Sequence, residues 1–336
     1  LKTIYREYEY GTARRFDIMI ELLVLALLIL FFSILFDVVI GEPPNRIHPV
    51  VFIGITISKL KTRFISKNNK IAAGCFFLIS IILINTVPLV AVLYLLYIAK
   101  NTILLILFAV IYIYFLKSTF SIRGMGTHVN RIINALEKSD LDSAKKYTSM
   151  VVRRDTSSMD SEKIASAAVE TIAEGFVDGY LTPMFFYAFF GIAGAMVARV
   201  INTMDSNIAY RDNIHYEFGR CTAIGDSITN FISSRMAPFM FGISAFLLGI
   251  KYAKTRIINT TDSLNAGYSI GAMAKVLGIR LEKSGEYIIN PDAKSPGVND
   301  IKKAMRIYYL SSILALLIFD IPVMFVLFVL HIFLLF

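Results

Sequence analysis

The chain alternates between long stretches without a charged residue and shorter stretches crowded with them. Charge-free runs cover Leu22–Phe36, Ile71–Ala99, Asn101–Leu116, Leu181–Ala198, Met236–Ile250, Ile307–Phe319 and Ile321–Phe336, the last two divided only by Asp320. A helix needs roughly 20 apolar residues to cross a bilayer. The first run, widened to Ile18–Ile40, and Ile71–Ala99 meet that length, whereas Met236–Ile250 spans only with help from its flanks. Lipid offers backbone groups no hydrogen-bond partner, so such segments must be helical. The pattern predicts an all-α, polytopic helical integral membrane protein with large polar helical loops.

Three polar blocks separate the runs: Lys117–Tyr180, Arg199–Arg235 and Lys251–Arg306. In the first, Asp140 is placed to cap a helix through "LDSAKKYTSMVV" and Asp160 to cap the next, with Glu162 in its first turn. Strand-like alternation is confined to short stretches such as "EYIIN". No repeat or linker divides the chain, so residues 18–336 are expected to form one membrane domain, with 1–17 an N-terminal extension and Met19 an alternative start. The first run is too long for a cleaved signal and leads straight into "DVVIGEPPNRIHPV". With Asn101 at the tip of a helical hairpin, the loop Lys59–Lys70 and the block Lys117–Tyr180 share a side, which their cations assign to the cytoplasm. Glycines in "FFGIAGA" favour a re-entrant hairpin for Leu181–Ala198 over a full crossing, provided protein covers its backbone.

Composition sharpens this. The 336 residues are 56% hydrophobic, with a mean hydropathy of +0.63, above that of ordinary soluble proteins. The net charge of +9 comes from cations in loops, as the positive-inside rule produces, so the expected partner is a lipid bilayer and no nucleic acid. Cys75 and Cys221 look isolated, so neither a disulfide framework nor a thiolate metal site is indicated. GxxxxGK[ST], HExxH and GxSxG are all absent from the sequence.

The candidate chemistry lies beside the runs. In "IASAAVETIAEGFVDGY", Glu170, Glu174 and Asp178 repeat every four residues and fall on one helical face, and no Lys or Arg occurs between Lys163 and Arg199. Unpaired carboxylates among Ala, Ile and Val are costly to desolvate. A solvated acidic face is the plain alternative; a cation from outside, Mg²⁺ or a substrate amine, is the sharper one. "VVRRDTSSMD" offers Arg154, Asp155 and Thr156, the arginine suited to phosphate or carboxylate, or else to an ordinary helix end. Asn202 and Asp205 share a face, followed by Tyr210 and Arg211; Asp226 and Asn230 are spaced i, i+4; capping or amide networks explain these equally well. His48 follows a proline-rich turn, where a structural role is the commoner one. Asn265, Gly267 and Tyr268 begin a helix rich in small residues, which suits an anion at its N-terminus or close packing in a membrane.

In their order, "DVVIGEPPNRIHPV", "RRDTSSMD", "AAVETIAEGFVDGYLTPMFFY", "INTMDSNIAYR", "YEFGRCTAIGDSITNFISSR" and "LNAGYSIGAMAKVLGIRLEKSGEY" resemble the cobalamin-biosynthesis family CobD/CbiB, adenosylcobinamide-phosphate synthase, over nearly all of the chain from Ile18. Gly225 stands where the family often has a second Asp, Leu264 where it has Pro, Gly175 where it has Asn, and Asn207-Ile208 where it has Met-Val. The resemblance implies amide formation between (R)-1-amino-2-propanol, or its O-phosphate, and the free propionate of adenosylcobyric acid, with ATP and Mg²⁺. It assigns metal binding to Glu170, Glu174, Asp178 and Asp205, and a catalytic part to Asp155, to those acidic residues and to His48. Substrate and phosphate would meet Arg154, Thr156, Asn202, Asp205, Tyr210, Arg211, Asp226, Asn230, Asn265, Gly267 and Tyr268. The cell membrane is the implied location, beside other cobalamin-biosynthesis enzymes. An ion-coupled transporter, which would place charges mid-span as at Asp320, and a membrane sensor without enzymatic activity are the rival readings.

Overall fold

A computed structural model describes residues 2–208, 213–250, 261 and 263–330. The first apolar run lies in α1 (Lys2–Val39), which passes position 18 without a break. After α2 (Pro49–Ile65) come α3 (Lys70–Ile98) and α4 (Thr102–Thr119). The Asn101 side chain caps α4, accepting from Ile103 and Leu104 N–H at 2.9 and 3.3 Å, so α3 and α4 form the expected hairpin. α4 runs alongside α1 in the same direction: Ser33 Oγ lies 3.4 Å from the Ile113 carbonyl and Lys117 Nζ 3.0 Å from Asp37. Their last turns therefore share one end of the molecule.

The polar block after α4 folds as helices α5 (Ile122–Glu137), α6 (Leu141–Ser149) and α7 (Ser161–Phe176). Both expected caps form, Ser143 N–H donating to Asp140 at 3.0 Å and Lys163 N–H to Asp160 at 2.8 Å. α7 does not continue regularly into the apolar run. Val177–Leu181 forms a π-helical turn before α8 (Thr182–Ile208) begins.

α8 breaks at Phe190 and Gly191, where φ/ψ are −129°/15° and 59°/−153°. The second pair is open only to glycine. On a straight helix Phe186 and Gly194 would stand about 12 Å apart, yet a Cβ on Gly194 would lie 2.5 Å from the Phe186 carbonyl oxygen. The Arg199 guanidinium also reaches the Gly179 carbonyl at 3.4 Å. The segment is a helical hairpin with its tip at Phe190–Gly191. Its exposed backbone is covered as a buried hairpin requires: Ile192 N–H donates to Tyr112 Oη at 3.1 Å, and Tyr187 donates to the Ala26 carbonyl at 3.2 Å.

α9 (Asn213–Leu247) absorbs the short run Met236–Ile250 into a 35-residue helix. Then follow α10 (Ala266–Leu277), an antiparallel pair β1 (Leu281–Lys283) and β2 (Tyr287–Ile289), α11 (Val298–Ala315), a second π turn (Leu316–Asp320) and α12 (Ile321–Val329). Five segments are long and apolar enough to cross a membrane: Ile20–Val39, Lys70–Ile98, Thr102–Thr119, Ser161–Ile208 and Val298–Val329, of which Ser161–Ile208 contains the hairpin. The protein is a multi-pass, all-α membrane protein. Asp320 is fully buried, with neither oxygen hydrogen-bonded among the described residues. The reading of Cys75 and Cys221 as isolated is corrected: they are joined as a disulfide between α3 and α9, Cα atoms 5.3 Å apart. Their separation of 146 residues hid the pairing from the sequence.

Candidate functional site

The acidic row sits on α7 and its π turn, and its members have different surroundings. Glu170 is buried and its carboxylate is fully engaged, by Arg154 Nη2 at 2.9 Å, Ser166 Oγ at 2.8 Å and Tyr287 Oη at 3.0 Å. Ser166 in turn accepts from the Glu282 N–H at 2.8 Å, fastening β1 to α7. Burial, together with Glu170 and Glu174, pushes the Tyr287 phenol up, so it remains a donor. Arg154 is thus the missing counter-cation for one carboxylate of the row, supplied by the loop before α7. Glu170, expected to bind metal, is instead a tie between that loop, α7 and the β-pair.

Glu174 is the opposite case. Solvent reaches its side chain, yet protein surrounds it, with Lys283 and Arg154 acting on it from a distance. Asp178 lies in the π turn. Such turns widen a helix and release a carbonyl, and here the Gly179 carbonyl accepts from Ser121 N–H at 3.0 Å and from Arg199. Asp178 interacts electrostatically with Asp226, Glu174, Arg199 and Asp205, drawn from both legs of the hairpin and from α9.

Around this group lies an amide network. Arg199 Nη1 donates to Asn202 Oδ1 at 3.0 Å, and its Nε donates to the Thr119 carbonyl at 2.7 Å. Asn230 Nδ2 donates to Asp226 Oδ2 at 3.0 Å, and Asn230 Oδ1 accepts from Thr182 at 2.6 Å. Asp226 Oδ1 is buried and takes no hydrogen bond of ordinary geometry among the described residues, although the Asn202 amide stands beside the carboxylate. Asp205 faces Arg153. Glu174, Asp178, Asn202, Asp205, Asp226 and Asn230 therefore converge on one polar layer at the base of the hairpin. Among the described residues, no three His, Cys, Asp or Glu side chains are gathered closely enough to hold a metal ion by themselves.

Other expected site residues lie elsewhere. Asp155 is exposed and closes a turn, accepting from Ser157 N–H at 2.9 Å and Ser157 Oγ at 2.7 Å, contacts that lower its carboxyl. Thr156 is buried and donates to the Lys145 carbonyl at 3.1 Å. Both shape the loop that presents Arg154. His48 caps α2: its Nδ1 accepts from Val50 N–H at 3.1 Å, so Nε2 carries the proton and donates to Glu42 at 3.0 Å. Asn265 precedes α10 but spends its amide on α9, donating to the Ser227 carbonyl at 2.8 Å and accepting from Ser234 at 3.2 Å. Gly267 is buried in packing, and Tyr268 stacks on Arg235 at 4.4 Å. Tyr210 and Arg211 fall outside the described residues.

Sequence reasoning missed a second network. Lys117, fully buried, pairs with Asp37 at 3.0 Å and Glu42 at 2.8 Å, while Asp37 Oδ2 accepts from Arg123 N–H at 2.8 Å at the start of α5. Burial opposes ionisation of Glu42, but the His48 hydrogen bond and Lys117 outweigh it and hold its carboxyl at about 2. The available signal was position: Asp37, Lys117 and Arg199 all stand at the ends of apolar runs. Arg199 links the two networks, through Thr119 on one side and Asp178 on the other.

A family model described as CobD/Cbib protein matches residues 30–315. The chain belongs to the CobD/CbiB family. It is 41% identical over 301 residues to the "probable cobalamin biosynthesis protein CobD" of Thermoplasma volcanium, covering 89% of this chain and 97% of the relative. The protein of that name from Pyrococcus abyssi is 34% identical over 289 residues, 84% of this chain and 92% of its own. No solved structure matches. In this CobD/CbiB chain the Cβ direction of Gly225 faces Ile201 and Leu78 at 3.6 Å, and the acidic neighbour that acts most strongly on Asp178 is Asp226.

Proposed function

We propose that the chain acts in cobalamin biosynthesis at the cytoplasmic face of the cell membrane, joining (R)-1-amino-2-propanol or its O-phosphate to the free propionate of adenosylcobyric acid. The observation that carries this reading is the buried Asp226 carboxylate, which keeps Oδ1 outside its bond to Asn230 and lies near the Asp178 carboxyl, in a chain of the CobD/CbiB family. Two close carboxylates with an oxygen to spare suit a cation that the protein itself does not supply.

A carboxylate resists attack by an amine and must first be activated. ATP would phosphorylate the propionate, releasing ADP; the amine would then attack the acyl carbon, phosphate would leave, and the ammonium proton would pass to a protein carboxylate. Glu174, ringed by protein but reachable by solvent, would accept that proton. Mg²⁺ binds through one or two carboxylates and keeps positions for phosphate; Asp178 and Asp226 would hold it with Asp205 nearby, and there it would offset phosphoryl charge. Arg199 fixes the hairpin legs that carry Asp178 and Asp205. The corrin product would pass to neighbouring membrane enzymes of the same pathway.

The test is incubation of the full chain, in detergent or vesicles, with adenosylcobyric acid, Mg-ATP and each amine, with corrinoids resolved by mass. Condensation product is expected with at least one amine. Recovery of unchanged adenosylcobyric acid with both would overturn the proposal.

A further inference from the structure

α9 carries Asp226 and Asn230, so its placement in the membrane decides where the site opens. Its outward face is unlike that of a helix in a soluble protein. The face against the protein is buried and holds the polar side chains Thr222, Asn230, Ser233, Ser234 and Ser244, all 3% exposed or less, alongside Phe218, Ala237, Phe241 and Ala245. The outward face is apolar, with Ile224, Ile228, Phe231, Phe239, Ile243 and Phe246 spaced three, four or eight apart along one side. Ile228, Phe239 and Phe246 are 69%, 71% and 75% exposed. A helix that keeps its hydroxyls and amides inside and turns an apolar face outward over this length is built for an apolar surrounding.

The direction of α9 follows from its partners on the hairpin. The Cβ direction of Gly225 faces Ile201, ten positions beyond Gly191 and so about 15 Å from the tip. Asn230 bonds Thr182, eight positions before Phe190, or about 12 Å from the tip. Ser244 pairs with Ser311 at 2.8 Å, and the neighbouring Ser312 carbonyl accepts from Tyr180, about 15 Å from the tip. Between Gly225 and Ser244 the helix advances about 28 Å, while the depth of its partners changes by about 3 Å. A crossing helix would change depth by most of its length. The hairpin tip meets Ala26, about 20 Å along α1 from Val39, so the plane of α9 lies near the Val39 end of the spans.

We infer that α9 is an in-plane interfacial helix, its Ile/Phe face immersed in the acyl region of the bilayer just below the headgroups. Asp226 and Asn230 then stand at headgroup depth, and the site is reached from the membrane surface rather than from within a pore. The inference is independent of the reaction proposed above.

Single cysteines at Ile228, Phe239 and Phe246 (Ile228→Cys, Phe239→Cys, Phe246→Cys) would be labelled with an environment-sensitive dye without reductant, leaving the Cys75–Cys221 bridge intact. The proteins would be reconstituted in phosphatidylcholine vesicles brominated near the headgroup or near the chain end. Val110→Cys, on the exposed side of α4 near its middle, provides the deep reference. Each variant is first matched to the unsubstituted protein by melting temperature, and only matched variants are read. Shallow bromine is expected to quench all three α9 labels about equally and more than deep bromine, with the reverse at Val110. A graded depth from Ile228 to Phe246 would show a crossing helix and overturn the inference. So would resistance to both lipids, whether the labels are reached by a water-soluble quencher or shielded by a second copy.

Discussion

Arg199 donates to the Gly179 carbonyl across the neck of a helical hairpin, joining residues that a straight helix would hold about 30 Å apart. The same guanidinium meets Thr119 and Asn202, so it clamps α4, the π turn and the second leg together. Arg199→Ala should lower stability by roughly 2–5 kcal/mol, because the buried Thr119 carbonyl and Asn202 lose a donor and Asp178 loses its nearby cation. Thermal unfolding in detergent checks this; an unchanged melting temperature would show the clamp to be dispensable.

Glu170 and Glu174 look alike in sequence but should behave differently. Glu170→Gln leaves Arg154 short of its partner and is expected to cost roughly 3–5 kcal/mol. Glu174→Gln removes no hydrogen bond and should leave melting unchanged while abolishing amide formation. Melting curves and the corrinoid mass assay on both variants test the split; loss of stability in Glu174→Gln with full activity would reverse the assignment.

The hairpin tip needs glycine. Gly191→Ala should cost about 1–3 kcal/mol through its φ of 59° and ψ of −153°. Gly194→Leu, which drives a side chain at the Phe186 carbonyl, should prevent folding. Yield of monodisperse protein after purification is the readout.

Glu42 predicts an acid limb. Its folded carboxyl is held at about 2 against an ordinary 4.5. The stabilisation it gives is complete above pH 4.5, and is lost as pH falls from there to 2. Glu42 is partly open to solvent, so the effect is modest. Glu42→Gln should flatten stability over that window, as acid titration of the melting temperature would show; an acid limb of unchanged slope would remove Glu42 as its source.

The disulfide has a direct test. Alkylation of denatured, unreduced protein should leave its mass unchanged, whereas prior reduction should add two alkyl groups, one each for Cys75 and Cys221. Two groups added before reduction would disprove the bridge.

The sequence by itself determined the solvent and the helices. Runs such as Ile71–Ala99 can satisfy their backbone in lipid only as helices, and Asn101, Asp140 and Asp160 carry their caps within a few residues, so local chemistry marks each start. It also located the acidic face and the glycines that turn the hairpin. Only tertiary structure decided what each carboxylate meets. Arg154 reaches Glu170 from 16 residues away, Tyr287 from 117, and Cys75 finds Cys221 across 146. Periodicity reports which side of a helix a residue occupies, but the partner opposite is set by how helices cross, and charge in a low-dielectric layer depends on that partner.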